Sequence, residues 1–393
     1  MLKMPNFRVS LMATMLAIPF AGIAALTLPS DAIAQAQAGG WHKETADRVK
    51  AAQEAGNKGN FSEAIRVLKE AKVKGPLPLS PQEEQAVNEY LIYAASSAKD
   101  YKLVLETVDE RLATGRVTGA DLVRKLRLKA TTLYATGDYR GAVAAFNKLI
   151  ATQGSATADD LIQLGNAQLV LRDFRAAIPT LEKAVVAAQK AGKPAATVGK
   201  LLEGLNSSYN ETKNDAKRLE TLHRLMAVTP KASVFSQLAS VYEVKSKKDP
   251  VVMINIYRLG ASRGLLSSQH YAKYAELALD LASPGEAVAM IEKGMAAGAI
   301  KKDDRNSRLL ADAKSQVDRL KGSLAQLERE TLATKNGEAE AKLAIAYFTL
   351  KNYSKAVEAG KRGIDEGKLR RADDLNMLLG IALIETKKPA EAK

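Results

Sequence analysis

Residues 134–150 read YATGDYRGAVAAFNKLI. Ahead of the break, Leu126, Ala130, Leu133 and Tyr134 recur at the spacing of one helix face. Beyond it, Ala142, Val143, Phe146, Leu149 and Ile150 do the same. Gly137 accepts the left-handed backbone that ends a helix, and Asp138 is a residue that caps the next one. Ala142 is small enough to let the two rods approach. The stretch therefore predicts an antiparallel helical hairpin hinged at Gly137, Asp138 and Tyr139.

One hairpin cannot cover the apolar faces of both its helices, so copies are expected. LGNAQLVLRDFRAAIPTLEKAV, 164–185, has Leu164-Gly165 in its first half, a turn ending at Phe174, then Ala177, Ile178, Leu181 and Ala184. NKGNFSEAIRVLKEA, 57–71, places Phe61, Ala64, Ile65, Leu68 and Ala71 in the same order. LKNYSKAVEAGKRGI, 350–364, does so with Tyr353, Ala356, Val357 and Ile364.

These residues resemble the tetratricopeptide repeat (TPR), which has Leu-Gly and Tyr in its first helix, Ala and an aromatic in its second, and a Pro after it. The turn position falls at Phe61, Tyr101, Tyr139, Phe174, Asp215, Lys248, Pro284, Tyr353 and Pro389, at intervals of 33 to 41 residues with one gap of 69. The family period is about 34 residues. A degenerate unit is therefore placed in the long gap, with its turn near Lys321-Gly322-Ser323. Pro230, in MAVTP, sits at the family's terminal Pro position. The family Trp is missing from every unit, because the only Trp is Trp41.

The resemblance implies an all-α, TPR-like α-solenoid of about ten helical hairpins over residues 45–393. The best units are 45–74, 88–114, 122–152, 159–190 and 338–366, with degenerate ones across 199–335. Repeat-packing positions are Phe61, Ala64, Tyr101, Gly137, Tyr139, Ala142, Phe146, Leu164, Gly165, Phe174, Ala177, Tyr353, Ala356, Leu379 and Gly380. GPLPLSP, 75–81, reads as a longer loop between repeats. The last unit is incomplete: a first helix around Leu379-Gly380 has no second helix after it. Leu378, Ile381 and Leu383 would then be exposed unless another element covers them, and a truncated chain is the favoured reading.

Composition narrows the chemistry. Of the 393 residues, 46% are hydrophobic, 26% charged and only 5% aromatic, a balance that favours helices packed through small side chains. With no cysteine, there are no disulfides, thiolate metal sites, thiol nucleophiles or lipid attachment through an N-terminal cysteine. The net charge of +14 attracts anionic partners, although the basic residues are interspersed with 44 acidic ones.

The N-terminus looks like a secretory signal. Lys3 and Arg8 precede an uncharged stretch containing LMATMLAIPFAGIAALTL, then Pro29 and the small-residue run AIAQAQA. Cleavage after Ala34 is favoured over retention as a membrane anchor, leaving 1–34 as signal peptide and 35–44 as a short disordered start. An exported chain without cysteine suits a bacterial periplasm.

No phosphate loop, dinucleotide fingerprint, H-E-x-x-H or G-x-S-x-G is present, and no cofactor or metal site is expected. Glu83/Glu84, Asp159/Asp160, Asp303/Asp304 and Asp373/Asp374 suit the positive ends of helices better than acid–base catalysis. His42 reads as solvated, His223 as packed or on the surface, and His270 as a surface residue stacked near Tyr271 and Tyr274.

The family binds other proteins on the face lined by its first helices, and the resemblance implies a non-enzymatic scaffold for peptides or partner helices. The candidate groove is Arg124, Arg127, Thr131 and Tyr134 on one first helix, with Asn166 and Leu169 on the next. Asn166 would bond a ligand's backbone, and Arg124 and Arg127 its carboxylates. Ile162 stands where the chaperone-binding members would need Lys, so their full carboxylate clamp is not reproduced. Three alternatives remain: a membrane-tethered assembly factor, an enzyme within 295–335, and an anionic-polymer or nucleic-acid binder using the basic charge.

Overall fold

In the computed structural model, residues 41–73, 78–388 and 390–391 are described, and all regular structure among them is helical. The signal segment 1–34, residues 35–40, residues 74–77 at the start of the Pro-rich loop, and the turn residue Pro389 lie outside the described residues.

The hinge of the opening stretch shows the local logic. α5 (Gly119–Ala135) ends before Gly137, whose φ is 82°. The Asp138 carboxylate then accepts from the Gly141 N–H at 2.9 Å, and α6 (Tyr139–Gln153) begins. Asp100 caps α4 (Tyr101–Ala113) in the same way, and Asp173 caps α8 (Phe174–Lys190). Each cap removes an orphan donor of the helix start and is worth about 1 kcal/mol. The turn aromatic stands half-buried at the head of its helix. Tyr139 meets Tyr134 edge-on at 5.5 Å, and Phe61, which opens α2 (Phe61–Val73), meets Tyr93 at 6.3 Å.

The chain divides into two compact units between Asn214 and Asp215, where a single uninterrupted array was expected. The division falls inside the expected fifth hairpin.

The first unit contains α1 (Lys43–Asn57), α2, α3 (Pro81–Ser97), α4, α5, α6, α7 (Ala158–Val170), α8 and α9 (Ala195–Glu211). Each helix packs on the next in sequence, and neighbouring first helices of the hairpins touch. The turns inside hairpins therefore share one edge of this unit, and the connections between hairpins share the other. Leu68, Val87, Leu91, Ile92 and Val104 fill one core cluster; Leu126, Phe146, Leu149 and Leu164 fill a second. Each such side chain contributes roughly 1.5–3 kcal/mol by leaving water. Gly165 lets α8 close in, because a Cβ there would lie 2.6 Å from Leu181 Cδ2.

Two expectations for this unit change. α3 begins at Pro81, ahead of the expected start at 88, because Ser80 and Glu83 form a capping box with Pro81 in the first turn. The expected disorder does not extend over 41–44: α1 starts at Lys43, Trp41 packs on the first core, and His42 is not free in solvent. Its ring Nδ1 lies 3.0 Å from the buried Glu83 carboxylate.

The second unit contains α10 (Asp215–Val228), α11 (Ala232–Lys245), α12 (Pro250–Ser262), α13 (Ser268–Asp280), α14 (Pro284–Ala296), α15 (Asp304–Thr334), α16 (Gly337–Thr349), α17 (Tyr353–Glu366) and α18 (Ala372–Glu385). The turn placed at Lys321-Gly322-Ser323 is not there. α15 runs through it for 31 residues. Leu310, Ala313, Val317, Leu320, Leu324 and Leu327 recur at alternating intervals of three and four, so the apolar stripe continues across Gly322. One mid-helix Gly costs only about 1 kcal/mol, too little to break that stripe. The turn assigned to Lys248 also shifts: Lys247 and Lys248 are both left-handed and α12 starts at Pro250.

The final helix is covered. Leu378, Ile381 and Leu383 are buried, in contrast to the expected exposure, because α18 packs on α12 as well as on α17. A buried polar network accompanies this closure. The Arg258 guanidinium donates to both oxygens of Glu286 at 2.7 and 3.0 Å, to Asn255 at 2.9 Å and to Ser283 at 3.3 Å. It also lies 5.2 Å from the Phe348 ring centre. Tyr274 donates its hydroxyl to Glu286, and Asn255 donates to Asp374 at 3.0 Å across 119 positions of sequence. Burial works to lower the Arg258 pKa, but the Glu286 carboxylate more than offsets it. Burial, with Glu286 beside it, raises the Tyr274 phenol well above its usual range.

Candidate functional site

The face built from the first helices of the first unit carries all six candidate groove residues. α5 supplies Arg124, Arg127, Thr131 and Tyr134; α7 supplies Asn166 and Leu169. Polar ties fasten neighbouring first helices to one another. His42, just ahead of α1, holds Glu83 of α3, and Gln53 of α1 donates to Tyr90 of α3. Lys125 of α5, itself buried, reaches Glu89 of α3 at 2.6 Å. Arg127 of α5 grips Asp160 of α7 through two bonds of 3.0 Å each, and adds Gln153 at 2.9 Å.

Asp160 is placed by local chemistry. Thr157 and Asp160 form a capping box, so the carboxylate is fixed at the start of α7 before Arg127 meets it. The Asp160 carboxylate raises the Arg127 pKa, against the lowering effect of burial. The Arg127 guanidinium, expected to meet a ligand carboxylate, is paired inside the fold with Asp160 and Gln153. Thr131 is also engaged, donating to the Arg127 carbonyl at 2.9 Å. Leu169 packs toward Gly204 of α9, where a Cβ would lie 2.8 Å from its methyl.

Arg124 remains available. Arg124 is 72% exposed and meets only Asp121 of its own helix, at 3.2 Å. The Asn166 amide nitrogen is buried, and its hydrogen bond to Tyr134 is loose in geometry. Burial raises the Tyr134 phenol, and the neighbouring Asn166 acts in the opposite direction.

Sequence reading missed Lys125, Glu89 and the role of Asp160. The signal for Asp160 was present as T-x-x-D at 157–160, and S-x-x-E at 80–83 marked Glu83 in the same way. The paired acids lie as expected: Glu83/Glu84, Asp159/Asp160 and Asp373/Asp374 in first turns, with Asp303 capping α15 and Asp304 opening it. Of the two later histidines, only His270 differs from expectation. His270 is buried, with Phe235 at 5.4 Å and Tyr257 at 5.6 Å, where a surface position was expected. His223 is exposed, with its Nε2 3.0 Å from the Tyr242 hydroxyl.

Short antiparallel helix pairs, Asp- or Asn-capped turns with an aromatic at the helix head, and a small residue at each close approach define a TPR-like repeat protein. No protein-family description matches the chain, and no curated protein does. Solved structures similar to it include a tetratricopeptide repeat protein from Parabacteroides merdae, at 14% identity and TM-score 0.36, covering 70% of this chain and 100% of that one. Naa15/Naa10 bound to HypK-THB is similar at 14% identity and TM-score 0.41, over 88% of this chain and 57% of that one. The TPR2AB domain of yeast Sti1, in complex with pHSP90, is similar at 14% identity and TM-score 0.27, over 67% and 99%.

Proposed function

We propose that this chain is an exported protein-interaction scaffold that holds a partner peptide or helix against the first-helix face of its first unit, in envelope assembly or secretion. One observation carries the reading. The face is held together by its own polar ties, yet leaves an exposed guanidinium at Arg124 and an Asn166 amide held only loosely by Tyr134. A preorganised surface with spare donors is suited to backbone carbonyls and carboxylates of a ligand. Export rests on the N-terminal leader pattern.

The test uses a photo-crosslinking residue at Arg124, with the same residue at Lys148 of α6 as control, in cells of a bacterial host. Partner adducts at position 124, weakened by Asn166→Ala and absent at 148, are expected. Adducts at 148 alone, or at neither position, reject the groove. Mass spectrometry of the mature N-terminus tests export separately: a chain starting at Gln35 is expected, and an intact Met1 in membranes rejects release into the periplasm.

A further inference from the structure

The edge of the first unit that carries the turns within hairpins has a charge pattern that packing does not require. Two rows of cations lie there. The first consists of Lys99, Arg172 and Lys213, each left-handed with φ of 57° to 59°. Gly59 and Gly137 occupy the matching places in the other turns. A side chain in that conformation is strained where glycine is not. The second row is Lys102, Arg140 and Arg175, each the second residue of α4, α6 or α8. None of these three helices has an acidic residue in its first turn.

The helix dipole accounts for the first row, since each cation follows a helix C-terminus, but it opposes the second, which sits at helix N-termini. Internal ion pairs do not account for the second row either. Arg140 and Arg175 have no ion-pair partner among the described residues, and Lys102 has only Glu106 at 3.8 Å, both exposed. The turn aspartates Asp100, Asp138 and Asp173 are committed to backbone N–H groups as caps. Arg172, Arg175 and Lys213 also line one open depression with Phe174 and Glu211. Arg172 meets Glu211 there at a loose 3.6 Å.

We propose that this turn edge binds an extended acidic polypeptide segment. Packed helices lie about 8–10 Å apart, and because neighbouring first helices touch, successive hairpin turns are on the order of 10 Å apart, about three residues of extended chain. A linear polyanion therefore meets cations at regular intervals. The turn aromatics do not form a platform for nucleic-acid bases: Tyr139 is packed edge-on against Tyr134, and the Arg172 guanidinium lies over Phe174 at 5.4 Å. Of the residues at the head of each turn, Ala98, Thr136, Leu171 and Thr212, only Leu171 is a large hydrophobe, too little to insert into a bilayer. The proposal concerns a different surface from the first-helix face and stands or falls apart from it.

The experiment measures binding of fluorescent poly-L-glutamate to the whole chain by anisotropy. Arg140→Glu/Arg175→Glu/Lys213→Glu is compared with a control of equal charge change, Lys148→Glu/Lys183→Glu/Lys190→Glu, on exposed positions of α6 and α8. All six sites are exposed, and circular dichroism verifies the fold of both variants. Salt-sensitive binding is expected, weakened on the order of tenfold or more by the edge variant and much less by the control. Peptides of about 20 residues should bind more tightly than those of about three, which reach only one turn. Equal loss in both variants reduces the effect to net charge and overturns the proposal. So does absence of poly-L-glutamate binding, or edge-dependent binding of phosphatidylglycerol vesicles or single-stranded DNA in preference to it.

Discussion

Replacing Arg258 with methionine should strike the second unit at its closure. The side chain is only 5% exposed and donates to Glu286, Asn255 and Ser283. Its loss leaves the Glu286 carboxylate, 8% exposed, with the Tyr274 hydroxyl as its remaining side-chain donor. Removing one partner of a buried pair costs about 3–5 kcal/mol, far more than the 0–1 of a surface pair. Arg258→Met/Glu286→Leu should recover part of that loss, because no buried charge is stranded, giving a coupling of about 1–3 kcal/mol in a double-mutant cycle. Urea unfolding followed by circular dichroism measures the stability. Hydrogen exchange locates the damage: 372–385 should lose protection, because α18 is tied to α12 through Asn255 and Asp374, while 158–170 in the first unit should not. A cost below about 1 kcal/mol would refute the argument, since it would mean the pair behaves as if solvated. Unchanged protection of 372–385 would equally refute the link between the network and the closure.

Gly322→Ala should stabilise the chain by about 1 kcal/mol in the same unfolding assay, because Gly322 sits in the middle of a continuous helix with open space around it; a loss of stability would restore the turn expected there. Gly165→Ala should cost about 1–3 kcal/mol, since the new methyl would meet the fully buried Leu181, and wild-type stability would show that α7 and α8 are not in close contact. His270 is held below its ordinary pKa by burial and by Lys273, so it folds in its neutral form. Its contribution is complete above the unfolded value of about 6.5 and is lost as pH falls through the lowered folded value. Melting of wild type and His270→Gln across that range should show acid lability in the first and a flatter profile in the second; equal slopes would discount His270.

The hairpins were legible because their causes are local. A left-handed Gly or Lys, an Asp or Asn cap and an aromatic lie within a few residues, as at Gly137-Asp138-Tyr139 and Lys351-Asn352-Tyr353, and they bias the backbone before any tertiary contact forms. The candidate groove was legible in part. Its residues do lie on adjacent first helices, but the pairing of Arg127 with Asp160 was hidden, because a cation on a helix face reads the same whether its partner is water, a ligand or the next repeat.

By itself, then, the sequence determined helix pairs, their turns and the apolar face of each helix, all governed by contacts a few positions apart. Only the tertiary structure decided where the array divides, that α15 continues through Gly322, and that α18 is covered by α12. Those outcomes depend on which distant surfaces meet: the Asn255–Asp374 bond joins residues 119 positions apart. The desolvation that makes Arg258 and Glu286 depend on each other exists only after the helices around them have closed.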